Sequence, residues 1–150
     1  MIMKNSELRI GNIITLSSPD AEIAIPSMIP FVVFEITFGR CHYIQEIGKP
    51  FAIQYSYPIE WNHVHPIPIT PEWLERLGFE REEQKISNCD VYKKGFYKIH
   101  VNPFGTIYFS HYTMGGFYLS ELKSIHQLQN LYHALTGQEL TVKELTPTTT

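Results

Sequence analysis

His63 and His65 stand one residue apart in Trp-Asn-His-Val-His, residues 61–65, just ahead of Pro66 and Pro68. In an extended strand, residues i and i+2 share a face, so the two imidazoles can be presented together. Paired imidazoles can share a metal ion, contact a ligand through ring N–H and lone pair, or line the wet face of a strand. A zinc-type site needs third and fourth ligands, for which His42, His100, His111 and Cys41 are the available types. No spacing makes these converge, and acidic neighbours such as Glu60 are few. The reading therefore assigns neither a metal nor a cofactor. His126 and His133, seven apart on an expected helix, fall on its half-buried rim, and no His-Glu-x-x-His motif accompanies them.

Nucleophilic catalysis has no signature here. Gly-x-Ser-x-Gly is absent, as is a glycine-rich phosphate loop leading into a helix. Glu80, Glu82 and Glu83 form a solvated run rather than an acid/base pair. The close glycines of Met114-Gly-Gly-Phe117 suit a turn. No catalytic residue is assigned, and the protein is expected not to be an enzyme. The aromatic content of 13% suits strands and leaves two readings of these rings, packing between sheet and helix or binding. Tyr55, Tyr57, Trp61, Tyr108, His63, His65 and His111 can stack on a flat ring and hydrogen-bond its polar rim, and Lys98 can meet an anionic group. These eight residues are the candidate ligand contacts, for a nucleotide-like small molecule.

The elements that must position them follow from periodicity. Glu7–Asn12 alternates and turns at Gly11-Asn12. Residues 31–38, Phe-Val-Val-Phe-Glu-Ile-Thr-Phe, are apolar on both faces and predict a central strand. Pro26 and Pro30 predict an irregular or edge segment before it. Strands are expected over 41–47, 51–57 and 60–64. Thr70-Pro-Glu-Trp73 starts a helix, with a capping hydroxyl, proline at the first helical position and an acidic first turn, and Gly78 stops it. Residues 80–88 read as a charged connection. A three-stranded meander follows over 89–94, 96–102 and 106–112, its joints at Lys94-Gly95 and Asn102-Pro-Phe-Gly105. Residues 117–119 read as a short strand. Ile125, Leu128, Leu131, Tyr132 and Leu135 make the apolar stripe of a helix over 124–136, with Gln129 off it, and Leu140 and Val142 alternate as a closing strand. The expected fold is a single α+β domain over 1–150. It is a twisted antiparallel sheet or small open barrel, covered by two short helices at about 71–78 and 124–136.

A formal charge of −3 and a pI near 6.1 make bulk DNA binding unlikely as a function class. Two cysteines give neither a disulfide framework nor a metal knuckle. With no apolar run of membrane-spanning length and no signal-like start, a cytoplasmic location is expected. Exposed sheet edges suggest pairing with a second copy, so a homo-oligomer is expected.

Three blocks, Glu7–Asn12 (ELRIGN), Pro66–Phe79 (PIPITPEWLERLGF) and Ile125–Lys143 (IHQLQNLYHALTGQELTVK), together resemble a family of small proteins of bacteriophages and prophages. The resemblance implies a phage–host setting and carries over no catalytic residue; His63 and His65 lie outside its blocks. The expected function is that of a non-enzymatic phage accessory binding protein, sequestering a small nucleotide-type immune signal. The alternative is a protein–protein adaptor or inhibitor of a host factor, and more remotely a metal-dependent hydrolase.

Overall fold

The computed structural model describes residues 7–17, 26–37, 40–46, 59–60, 63–83, 85–111 and 118–143. In chain order the first strands are β1 (Ile13–Ser17), β2 (Pro26–Thr37), β3 (Arg40–Glu46), β4 (Ile59–Glu60) and β5 (Val64–His65). Helix α1 (Pro71–Arg76) precedes β6 (Glu80–Arg81), β7 (Asp90–Lys94), β8 (Tyr97–Val101), β9 (Ile107–His111) and β10 (Tyr118–Leu122), and α2 (Ile125–Thr136) follows. The fold is α+β, with open, wholly antiparallel sheets. The strands sort into two five-stranded sheets rather than one. They belong to two compact units, one formed by Met1–Ile67 with Ser124–Thr150 and the other by Pro68–Lys123.

The first unit holds the sheet β4-β3-β2-β1-β5. β2 is central, as its two apolar faces require, and Phe31, Val32 and Val33 are all buried. The prolines expected to make residues 26–30 an irregular or edge segment lie within β2. Pairing with β3 runs from Phe31 to Thr37, so Pro26 and Pro30 meet only β1, at a register shift between Thr15 and Ser17. A ring nitrogen without a proton costs no ladder bond there.

The expected strand over 60–64 is two strands, β4 at one sheet edge and β5 at the other. Only four steps of chain separate Glu60 from Val64, a reach of at most about 14 Å. Four inter-strand gaps in a flat sheet span about 19 Å. The sheet must therefore curl until its edges approach, though it stays open.

Polar groups tie α2 to the turn before β1. Gln129 is fully buried, and its amide makes four hydrogen bonds. Its Oε1 accepts from Ile13 N at 2.8 Å and Asn12 Nδ2 at 3.5 Å, and its Nε2 donates to Gly11 O at 3.0 Å and Leu140 O at 2.8 Å. Asn130 donates to Glu7 O at 2.7 Å and accepts from Asn12 Nδ2 at 2.9 Å, while Arg9 forks onto the Glu139 carboxylate. The apolar stripe placed Gln129 outside the core and Leu135 inside; the amide is interior because four partners satisfy it, and Leu135 is exposed. Residues 139–142 do not form the expected closing strand. Leu140 and Val142 are buried all the same, and the Leu140 carbonyl bonds Gln129 in place of a neighbouring strand.

In the second unit, α1 begins and ends as its sequence requires. Thr70 Oγ1 accepts from Trp73 N, Pro71 occupies the first turn, and Arg76 lies over the Trp73 ring at 4.3 Å. Gly78 takes φ +86°, which lets Gly78 N donate to Glu75 O and Phe79 N to Leu74 O. Lys94 Nζ caps the free Leu77 carbonyl at 2.7 Å. The sheet β10-β9-β8-β7-β6 holds the expected meander in its middle, with an added strand at each side. β6 lies in what reads as a charged connection. Ser87 and Asn88, both at positive φ, turn the chain tightly between Ile86 and Cys89 and return it to the sheet as β7. Tyr92, Ile99 and Phe109 are buried side by side along one row of the ladder.

Candidate functional site

Ser17 is the centre of a small polar cluster in the first unit. β1 and β5 pair Thr15 with His65 and Leu16 with Val64, and continuing that register sets Ser17 opposite His63. Leu16 and Val64 turn to one face, while Thr15, Ser17, His63 and His65 share the other. Ser17 Oγ lies 3.1 Å from His63 Nδ1 and 3.0 Å from His65 Nε2. The hydroxyl is buried and both imidazoles are half-buried. The His65 pKa is lowered, first by burial and to a smaller degree by His63 among nearby charges, so its ring is neutral at neutral pH. The side-by-side presentation expected of these histidines is thus present, with Ser17 as an unforeseen third member. Its signal was its place on the Ile13–Thr15 face of β1, hidden by a Ser-Ser-Pro-Asp run that reads as a loop.

A second cluster lies on the β7–β9 sheet in the other unit. Direct cross-strand pairs set Lys98 beside Ser110 and His100 beside Tyr108. Lys98 and His100 are two apart on β8, so all four side chains face one way. His100 Nε2 is 2.8 Å from Ser110 Oγ, and Lys98 Nζ donates to Glu82 at 2.9 and 3.1 Å. His100 and Ser110 are buried; Tyr108 and Lys98 are half-buried. Burial, then the Lys98 charge, lowers the His100 pKa, with Glu82 opposing, so this imidazole is neutral too. Glu82 also borders a surface cleft of about 340 Å³ lined by Arg81, Glu83, Lys85 and Asp90. Within it Asp90 bonds Arg81 at 2.9 Å and lies 3.4 Å from Lys85. No sequence spacing links Glu82 to Lys98; the β6–β7–β8 pairing does.

No protein-family model, curated protein or solved structure matches this chain.

The eight candidate contacts divide accordingly. His63 and His65 come together in the first unit, and Lys98 and Tyr108 in the second. His111 pairs with Tyr97 in the ladder, one position past the row of Lys98 and Ser110, and its side chain is outside the described set. Tyr55, Tyr57 and Trp61 lie outside the described residues, as do the expected strand over 51–57 and the Met114-Gly-Gly turn. Of the other metal-ligand types, His100 serves the second cluster. Among the described residues no group of three or more His, Cys, Asp or Glu side chains is placed to hold a metal ion. No helix of the described residues is long and apolar enough to cross a membrane. His126, expected on a rim, is instead buried at the start of α2, with Nδ1 3.0 Å from Ser124 Oγ and Nε2 3.8 Å from Glu7 Oε2.

Proposed function

We propose that this is a non-enzymatic binding protein that takes up a small, anionic, nucleotide-type ligand, and that in a phage-infected cell it withdraws such a signal from bacterial defence. The observation that carries the reading is the row of Lys98, His100, Tyr108 and Ser110 on one sheet face, with Lys98 bonded to Glu82, a residue that also lines a cleft of about 340 Å³. That volume lies within the range of small-molecule sites. A phosphate can take the place of the Glu82 carboxylate on Lys98, since both are oxygen acceptors for an ammonium. Tyr108 offers a ring for stacking and a hydroxyl for the ligand's rim. The phage setting rests on the sequence blocks.

The test is a panel of cyclic and linear nucleotides against tag-free protein. Thermal shift finds the ligand, heat denaturation releases it, and chromatography identifies what comes out. Intact ligand, with the shift lost in Lys98→Gln and Tyr108→Ala, supports the proposal. A converted product makes the protein an enzyme. No shift with any nucleotide removes the ligand and leaves the adaptor alternative, to be pursued by partner capture.

A further inference from the structure

The Ser17 hydroxyl is shared between two ring nitrogens. A hydroxyl carries one proton, so it can donate to only one of the two ring nitrogens that converge on it. If the second ring points a lone pair inward as well, that lone pair meets oxygen lone pairs. One imidazole turning an N–H toward Ser17 satisfies the trio; the other arrangement is a Lewis acid taken up by both lone pairs. The two inward nitrogens, His63 Nδ1 and His65 Nε2, approach the same point from 3.1 and 3.0 Å. Metal–imidazole bonds are about 2.0–2.1 Å, so modest ring rotation brings both nitrogens to bonding distance of one ion. Both side chains are half-buried on an edge strand and the residue just before it, where such rotation is least opposed.

We infer that His63 and His65 form a two-imidazole site for a divalent transition ion, with the Ser17 oxygen alongside. The donor set selects the ion. Two neutral nitrogens and a hydroxyl suit Zn²⁺, Ni²⁺ or Cu²⁺, whereas Mg²⁺ and Ca²⁺ seek carboxylate and carbonyl oxygens. Among the described residues no third histidine, cysteine or carboxylate stands with them, and water can fill the positions that the two imidazoles leave. The site is therefore open and exchangeable rather than a closed structural one. It is independent of the sheet face proposed for the nucleotide, and either can fail without the other.

Tag-free protein titrated with Zn²⁺ and Ni²⁺ tests this, with Mg²⁺ as the contrast. Saturation at a hundred times Kd raises Tm by roughly 5–10 °C. ¹⁵N NMR of the imidazoles places the largest Zn²⁺-induced shifts at His63 Nδ1 and His65 Nε2. His63→Gln and His65→Gln each lose the Tm response, and His133→Gln on the α2 surface keeps it. The inference is overturned if Zn²⁺ leaves the His63 and His65 nitrogens unmoved in the wild-type protein, a readout that no folding defect of a variant can obscure. It is equally overturned if both glutamine variants, folded by circular dichroism, bind Zn²⁺ as wild type does.

Discussion

Replacing Gln129 with leucine should be among the most damaging single changes in the protein, although it puts an apolar residue into a buried helix face. The leucine side chain is of similar size and leaves little cavity, so the cost lies in hydrogen bonds. Ile13 N and Leu140 O lose their only described side-chain partner in a fully buried setting, and Gly11 O loses one in a partly buried setting. Each buried polar group left unmade costs about 1–3 kcal/mol. Counting two in full and discounting the third gives about 3–5 kcal/mol, partly offset by about 1–2 kcal/mol for the added apolar burial. The net loss is about 1–4 kcal/mol, a fall in Tm of roughly 2–16 °C. Urea denaturation followed by circular dichroism measures it. Gln129→Glu supplies a shape control, since its carboxylate still accepts from Ile13 N but cannot donate to Gly11 O or Leu140 O. It should be destabilised more at pH 8 than at pH 5, where protonation restores one donor. A Gln129→Leu protein within 1 kcal/mol of wild type would refute the reasoning, because the buried amide would then be dispensable.

Gly78→Ala forces a side chain into φ +86°, with its Cβ 2.7 Å from the movable end of Lys94, and should cost about 1–2 kcal/mol by chemical denaturation. Thr70→Ala removes the cap of α1 at a long 3.4 Å bond, so the loss should sit near the lower end of the range, about 0.5–1 kcal/mol. Burial lowers the His126 pKa from its ordinary 6.5, with Glu7 opposing. The unfolded chain then takes up the proton first, so stability falls as pH drops below about 6.5 toward the lower folded value. Unfolding curves from pH 7.5 to 5 should show that slope in wild type and a shallower one in His126→Gln; equal slopes would assign the loss to other groups.

Much of this was legible before any coordinates. Residues 31–38 declared a central strand by being apolar on both faces, and Thr70-Pro-Glu with Gly78 marked both ends of a helix through local chemistry alone. Tyr108 and Ser110 could be assigned to one face because they stand two apart on an expected strand; that Lys98 joins them came from the register. What was hidden depends on contacts far apart in sequence. Gln129 looked like a surface amide because its partners, Gly11 and Ile13, lie more than a hundred residues away. β6 was concealed by a charged run, since an edge strand can keep polar side chains on both faces. The split of residues 59–65 between opposite sheet edges was also out of reach, because periodicity describes a strand but not its neighbour. Ser17 was missed for that reason as well.

The first unit is assembled from both ends of the chain, with the second unit's roughly 55 residues interposed. On a ribosome that order imposes a delay. At about 5–20 residues per second, the segment bearing Gln129 and Asn130 emerges several seconds after the strands it must seal. Until then the nascent sheet shows water an apolar surface and backbone groups that only the late amides will satisfy. A chaperone that shelters it during this interval, or a partner that docks there first, would decide how much of the product reaches its native state.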